Sequence, residues 1–222
     1  MSFPSFIAYS GKLAQPVFLG GWVFFAGVLS VDFLYGDSAE DSAPIILAFG
    51  DSLTAGYEVS VSESYPARLQ EIINDQGYNY KVVNGGLSGD TTAGGVRRIR
   101  WLMKHNPSIV VVELGANDGL RGLSLKEMES NLSSIISFCQ DKGARILLAG
   151  MKVPPNYGEE YSADFEKVYS RLAKRFQIPL LPFFLENVAG KQELTQTDGL
   201  HPIASGYQIV AQNVWQSLEP LL

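Results

Sequence analysis

Five short apolar runs alternate with five helix-like stretches along most of the chain, and this alternation constrains the fold most strongly. The apolar runs span about residues 44–50, 80–84, 108–114, 144–150 and 178–182. The helix-like stretches lie between and after them, at about 63–76, 92–104, 124–141, 160–176 and 203–218. Strands that alternate with helices are joined by right-handed crossovers and form a parallel sheet covered on both faces. The sequence therefore predicts a three-layer α/β/α sandwich around a five-stranded parallel sheet, of the flavodoxin-like type.

A serine stands just beyond the end of the first apolar run. The segment Pro-Ile-Ile-Leu-Ala-Phe at 44–49 is followed by Gly50, Asp51 and Ser52. In open parallel sheets, ligands bind at the carboxyl ends of the strands. Ser52 is therefore a candidate nucleophile. Because a serine hydroxyl is a poor nucleophile until a base takes its proton, this hypothesis requires a positioned histidine elsewhere.

The chain contains two histidines, His105 and His201. Asp198 precedes His201 by three residues, so its carboxylate can reach the imidazole from the same turn, hold its tautomer and stabilise its cation. His105 stands two residues before Pro107, where a helix is expected to stop, and we interpret it as an exposed helix-end residue. An Asp-x-x-His motif alone is as typical of a metal site, a cap or a surface loop as of catalysis. Its pairing with Ser52 favours catalysis.

Polar or glycine-rich segments also follow the second and third predicted strands. Residues 85–91 contain three glycines, which allow backbone N–H groups to approach a ligand closely. Residues 115–118 add the amide side chain of Asn117. Either segment alone is typical of an ordinary turn after a strand. Together with Ser52 they give three polar loops at one sheet edge, which indicates a single site.

These residues resemble four sequence blocks of the SGNH (GDSL) hydrolases, in the order and at roughly the spacing of that family. The blocks are Gly50-Asp51-Ser52, Gly89 within 88–91, Gly115-Ala116-Asn117-Asp118 and Asp198-x-x-His201. The match is closest to the bacterial thioesterase I, lysophospholipase L1 and arylesterase group, which also shares residues 115–122 and 179–184. The resemblance covers about residues 44–222. The family's more usual Gly-Gly-Asn-Asp has Ala116 at its second position here, a one-methyl change that we expect the loop to tolerate.

The resemblance implies a role for each of five residues. Ser52 would be the nucleophile, His201 the base and Asp198 its orienting carboxylate. The backbone N–H groups of Ser52 and Gly89 and the side chain of Asn117 would form the oxyanion hole. The implied activity is that of a serine esterase that hydrolyses carboxylic esters or thioesters through an acyl-enzyme, without a metal or other cofactor.

The segment at 151–158 resembles a loop that covers the acyl chain in the related thioesterases. Its central residues, Pro154, Pro155, Asn156 and Tyr157, are therefore candidate substrate-binding residues. On local grounds a stiff proline-rich connector explains the segment equally well. Short aryl esters, lysophospholipids and acyl thioesters are the substrate classes that the sequence leaves open.

Residues 1–43 differ in character from the rest of the chain. Residues 17–31 carry no charge, with Lys12 as the only basic residue before them and Asp32 directly after them. An apolar core of about 15 residues has the length of a signal-peptide core, whereas a membrane span needs about 20. The charge asymmetry places the amino terminus inside. We therefore expect residues 1–43 to be a signal peptide or membrane anchor with a short linker, and residues 44–222 to be an exported catalytic domain, periplasmic or secreted. A core helix is the competing interpretation of the apolar segment.

Composition restricts the partners of the chain. A net charge of −6 and a pI near 5 argue against nucleic-acid binding, which requires a basic surface. The basic cluster at 97–100 is interpreted as a solvated helix face. The single cysteine, Cys139, excludes an internal disulfide and is expected to be buried in a helix. No zinc-ligand spacing or P-loop occurs in the sequence, and we expect a monomer whose partner is a small acyl substrate.

Two alternative functions are compatible with the same patterns. A tethered, non-catalytic flavodoxin-like binding module would share the alternation and the glycine loop, but it has no reason to pair Asp198 and His201 with Ser52. An O-acetyl esterase or acyltransferase would use the same triad. Labelling by a fluorophosphonate probe separates the binding module from an enzyme, and dependence on an acceptor identifies a transferase.

Overall fold

Five parallel strands form the sheet of the described part of the chain, residues 43–222 of this computed structural model. The strands are β1 (Ile45–Gly50), β2 (Lys81–Gly86), β3 (Ile109–Glu113), β4 (Arg145–Ala149) and β5 (Leu180–Leu181), in the order β2-β1-β3-β4-β5. Each strand coincides with one predicted apolar run, except that β2 continues two residues beyond its run. The predicted signal peptide or anchor at 1–43 lies outside the described residues except for Ala43.

Five long helices cover the sheet, and two short ones follow strands directly. The long helices are α2 (Tyr65–Asp75), α3 (Thr92–Leu102), α5 (Leu125–Asp141), α6 (Glu159–Phe176) and α7 (Ala204–Leu218). The short helices are α1 (Ser52–Ala55) and α4 (Ala116–Leu120). Helix α2 packs on α7, whereas α5 packs on both α3 and α6. This arrangement confirms the predicted α/β/α sandwich. Within residues 43–222, no helix combines the length and the apolar character that crossing a membrane requires.

The central strands are buried on both faces, which explains why they are apolar without alternation. Strand β3 is entirely buried, and only Ile45 of β1 and Arg145 of β4 are not buried. Burying each large aliphatic side chain of this kind stabilises the fold by about 1.5–3 kcal/mol. The sheet is therefore a rigid platform for the loops at its carboxyl edge.

Two glycines that the sequence analysis placed in a loop belong to the sheet. Gly85 and Gly86 end β2, in register with Phe49 and Gly50 of β1. A Cβ atom on Gly86 would stand 2.2 Å from the backbone nitrogen of Ala55, so only glycine lets α1 lie this close to β2. These glycines therefore serve close packing, and the loop itself starts at residue 87.

The strand order positions the loops that carry the candidate residues. Strand β1 lies between β2 and β3, and the connection after β1 runs to β2 on one side while the connection after β3 runs to β4 on the other. With right-handed crossovers, these two connections lie on opposite faces of the sheet. Such a switch point opens a crevice at the carboxyl edge, where ligands bind in doubly wound sheets. Ser52 begins α1 directly beyond β1, and Asn117 lies in α4 directly beyond β3.

Candidate active site

Ser52, His201 and Asp198 lie in one hydrogen-bonded chain. The Nε2 atom of His201 is 2.8 Å from the Oγ atom of Ser52, and its Nδ1 atom is 2.5 Å from Oδ2 of Asp198. A proton on Nδ1 that is donated to Asp198 leaves Nε2 as the acceptor for the serine hydroxyl. The arrangement can thus remove a proton from Ser52 and hold the resulting imidazolium beside a carboxylate.

The loop around Asp198 explains the three-residue spacing to His201. The Oδ1 atom of Asp198 accepts hydrogen bonds from the backbone N–H groups of Leu200 and His201, at 2.9 and 3.0 Å. Partial burial works to raise the pKa of Asp198, but these bonds and the bond to the His201 ring outweigh it and lower the pKa. Asp198 therefore stays ionised and fixes both the loop and the imidazole.

The predicted oxyanion-hole residues are linked by an arginine that the sequence analysis did not single out. The Nη2 atom of Arg121 donates to the carbonyl of Gly89 at 2.9 Å and to Oδ1 of Asn117 at 3.3 Å. Nδ2 of Asn117 donates one hydrogen bond to Asp51 at 3.0 Å, so one amide hydrogen is left for a ligand. Ser52 is the first residue of α1, and its N–H group has no acceptor within that helix. The spacing of Asn117 and Arg121, four residues apart, is the sequence signal for this link.

Two buried carboxyl groups lie next to the turn that carries Ser52. Asp51 and Glu113 are both fully buried. Burial raises the pKa of Asp51 to about 6, and burial together with the neighbouring Asp51 raises the pKa of Glu113 well above its usual range. The sequence analysis used Asp51 only as part of a motif and did not single out Glu113. The sequence feature that could have identified Glu113 is an acidic residue at the end of an otherwise apolar strand.

Arg98 is not the solvated helix residue that the basic cluster suggested. Its guanidinium group donates to the carbonyl of Gly50 at 2.6 Å, to the carbonyl of Gly85 at 2.5 Å and to Oδ2 of Asp90 at 2.6 Å. The group also lies 4.3 Å from the centre of the Phe49 ring. Arg98 therefore joins the ends of β1 and β2 to the loop that carries Gly89.

A cavity of about 430 Å³ opens beside Ser52 and His201. Its wall is mostly apolar and is built by Leu53, Leu120, Met151, Val153, Pro154, Phe183, Leu185, Ala189 and Leu200, among others. Volumes of this size are typical of small-molecule sites. The residues after β5, Phe183 to Ala189, were not predicted to line it, because their apolar pattern is equally typical of core.

The predicted substrate-binding loop contributes to this cavity only in part. Pro154 lines the cavity, whereas Asn156 is exposed and neither Asn156 nor Tyr157 is part of its lining. The Tyr157 hydroxyl instead donates to the carbonyl of Leu120 at 2.7 Å, which ties the loop to α4. Pro155 begins the short 3-10 helix Pro155–Tyr157, which lies between β4 and α6.

Two further residues complete the comparison with the sequence analysis. The centres of the Tyr57 and His201 rings are 4.7 Å apart, and no sequence pattern predicted this contact. His105 is exposed in the turn after α3, where its ring stands 6.0 Å from that of Trp101. Among residues 43–222, no group of three or more His, Cys, Asp or Glu side chains is placed to hold a metal ion.

Known proteins are similar to this chain in sequence and in fold. The family model of the GDSL-like lipases and acylhydrolases matches residues 48–209. An arylesterase of Vibrio mimicus is 43% identical over 182 residues, which cover 82% of this chain and 91% of that protein. Thioesterase 1/protease 1/lysophospholipase L1 of Escherichia coli is 40% identical over 183 residues, 82% of this chain and 86% of that protein. The crystal structure of TesA aligns with a TM-score of 0.78 at 42% identity, covering 80% of this chain and 99% of that one. As its resemblance to the SGNH hydrolases predicted, the chain belongs to the GDSL-like lipase/acylhydrolase family.

Proposed function

We propose that this GDSL-family ester hydrolase works by acyl transfer to Ser52. The Ser52 hydroxyl attacks the ester or thioester carbonyl while Nε2 of His201 takes its proton. The imidazolium then protonates the leaving alcohol or thiol, and the acyl group stays on the Ser52 oxygen. Water, deprotonated by the same imidazole, releases the acid and restores the serine. The observation that carries this proposal is the His201 ring between the Ser52 hydroxyl and the Asp198 carboxylate.

In the proposed reaction, three N–H donors stabilise the negative charge of the tetrahedral intermediate. They are the backbone N–H groups of Ser52 and Gly89 and the free amide hydrogen of Asn117. The hydrogen bonds from Arg121 to the Gly89 carbonyl and to Asn117 support this assignment, because they hold the two outer donors in a fixed relation. Removal of one preorganised donor typically costs about 3–4 kcal/mol of barrier.

The cavity beside Ser52 supports an acyl chain as the part of the substrate that this enzyme recognises. A wall rich in aliphatic side chains stabilises each methylene of a bound chain by about 0.8 kcal/mol. An acetyl group would leave most of the cavity without contact, which favours longer acyl esters over O-acetyl groups. Aryl esters, lysophospholipids and acyl thioesters all offer such a chain.

A hydrolysis panel tests the proposal. The purified protein is assayed with p-nitrophenyl esters of increasing chain length, with a lysophospholipid and with an acyl-CoA, beside a Ser52→Ala variant. We expect kcat/KM to rise from the acetyl ester to esters of intermediate chain length, and Ser52→Ala to be inactive and unlabelled by a fluorophosphonate. Undiminished hydrolysis by Ser52→Ala would exclude the proposed nucleophile, and preference for the acetyl ester would exclude the proposed substrate class.

The family membership argues against one of the two alternative functions, and an assay can test the other. Membership of a hydrolase family removes the reason to assume a non-catalytic binding module. An acyltransferase would show faster turnover when an alcohol acceptor is added at constant ester concentration. We expect no such acceleration.

We propose that the enzyme acts outside the cytoplasm, delivered by residues 1–43. The support is the uncharged segment at 17–31 with Lys12 before it and acids after it. Amino-terminal sequencing of the protein from its native host tests this. A chain that starts between about Gly36 and Pro44 means a released enzyme, and an intact Met1 in the membrane fraction means a tethered one. An intact cytosolic protein would refute export and make acyl-CoA the leading substrate.

A further inference from the structure

The Glu113 carboxyl group, at the end of β3, contacts the turn that carries Ser52. Its Oε2 atom accepts a hydrogen bond from the Asp51 N–H at 3.3 Å and one from the Thr54 hydroxyl at 2.8 Å. These donors stand on the two sides of Ser52 in sequence. A single oxygen atom of β3 therefore holds both flanks of the turn between β1 and α1.

The Glu113 carboxyl group can reach the Asp51 N–H and the Thr54 hydroxyl only because residue 50 is glycine. A Cβ atom at Gly50 would stand 2.4 Å from Oε2 of Glu113 and 2.0 Å from Oγ1 of Thr54. Any side chain at this position would displace one of the bonded groups. The glycine before Asp51 and the acid at the end of β3 thus belong to the same local packing.

The surroundings of Glu113 favour the neutral form of its carboxyl group. It is fully buried, and its second oxygen, Oε1, has no hydrogen-bond partner within residues 43–222. The nearby Arg98 guanidinium is bonded to Gly50, Gly85 and Asp90 instead. An ionised carboxylate that is buried without a cation bonded to it is strongly unfavourable, which favours the protonated form. The raised pKa of Glu113, caused first by burial and then by Asp51, agrees with this.

We propose that Glu113 is a positioning residue for the nucleophile: through the Asp51 N–H and the Thr54 hydroxyl, it holds the Ser52 hydroxyl in line with His201. The inference rests on the proposed function of Ser52. Because the two bonds end on one uncharged oxygen, a carboxamide oxygen can accept both. A displacement of the reacting atoms by about 1 Å costs about 100-fold in rate, which sets the effect to expect.

Three variants of the full chain test the proposal through kcat, KM and the rate of fluorophosphonate labelling. Glu113→Leu should lower kcat and the labelling rate by about 100-fold, with KM changed by less than about twofold, since substrate contacts are untouched. Glu113→Gln should recover kcat to within about threefold of the native value, because its amide oxygen accepts the same bonds. Thr54→Val removes one of the two bonds and should lower kcat by about tenfold. Rescue by glutamine and an unchanged KM separate positioning from a loss of folded protein.

Val214→Ala is the matched stability control. Val214 is fully buried in α7, ten residues beyond the start of that helix, and has no part in the proposed site, so its truncation should lower the melting temperature and leave kcat unchanged. A folded Glu113→Leu variant with native kcat would overturn the proposal, as would a glutamine variant as impaired as the leucine variant. If Glu113→Leu does not fold, native kcat in Thr54→Val overturns it. Activity in Ser52→Ala would refute the proposed function itself, whereas an inactive Ser52→Ala beside a fully active Glu113→Leu refutes only this inference.

Discussion

The His201 ring uses its two nitrogen atoms for different tasks. Nδ1 is bound to a carboxylate whose pKa is lowered, so that side of the ring has a permanent negative partner. Nε2 faces a neutral hydroxyl at hydrogen-bond distance. The asymmetry favours Nε2 as the proton acceptor of the proposed reaction, and the Asp198 carboxylate is placed to stabilise the imidazolium that forms when Ser52 gives up its proton.

Replacing this ring should abolish turnover without unfolding the protein. We expect His201→Ala to lower kcat by about 1,000-fold or more, because no other described side chain at hydrogen-bond distance can accept the serine proton. His201 is only partly buried, so the melting temperature should change little. Steady-state kinetics with a p-nitrophenyl ester provide the measurement. His105→Ala is the control and should keep native kcat, and a His201→Ala enzyme of comparable activity would contradict the assignment.

Asn117 offers a different kinetic signature. Asn117→Ala should lower kcat by about 100-fold or more with little change in KM, since its amide is proposed to bind charge that exists only in the transition state. The measurement is a kcat and KM determination with one ester at fixed pH. An increase in KM alone would make Asn117 a residue that binds the ground-state substrate instead.

At the scale of single residues, the sequence pointed to candidate residues where a catalytic chemistry has a recognisable sequence motif. Ser52, Asp198 and His201 could be named because their spacing follows from a strand end and a local turn. Glu113 and Arg98 could not, because a buried acid and a partly buried arginine have meaning only through partners from other elements. Tyr157 stays a predicted substrate-binding residue; in the structure its hydroxyl bonds to the Leu120 carbonyl, and it is not part of the cavity lining.

Helices were predictable where they are long enough to show a periodic apolar face. Helices α5 and α6 span 17 and 18 residues, enough to repeat an apolar face several times. Helices α1 and α4 have four and five residues, which is about one turn and carries no periodicity. Strand β5 has only two residues, and its position came from an apolar run rather than from alternation.

The Arg98 crosslink among β1, β2 and the Gly89 loop is open to a direct test. Lysine keeps the charge but cannot donate three bonds in fixed directions. We expect Arg98→Lys to lower the free energy of unfolding by about 2–3 kcal/mol and kcat by about tenfold. Urea denaturation and steady-state kinetics check this.

Arg97→Lys, an exposed neighbour in the same helix, is the matched control for Arg98→Lys. Its free energy of unfolding should stay within about 0.5 kcal/mol of the native value. Equal effects of the two substitutions would show that the three bonds of Arg98 do not carry the stability.

The stability of the whole domain should depend on pH through Asp51. Burial raises the pKa of Asp51 from 3.8 to about 6, so the folded state holds its proton more tightly than the unfolded state. The resulting stabilisation is complete below about pH 4 and is lost as the pH rises through about 6, by an amount on the order of 2–3 kcal/mol. Urea unfolding of the native protein and of Asp51→Asn across this range gives the difference. A difference that does not vary with pH would contradict the assignment.

The pairing of Ser52 with His201 also has a consequence for how the enzyme comes into being. The two residues are 149 positions apart, so the nucleophile leaves the ribosome long before its base is synthesised. Up to that moment the emerging polypeptide holds a serine of ordinary reactivity and no means of attacking the lipids or thioesters around it. In the proposed mechanism, ester cleavage begins only when the loop that carries His201 packs against the turn that carries Ser52. The first appearance of ester cleavage therefore marks the completion of folding.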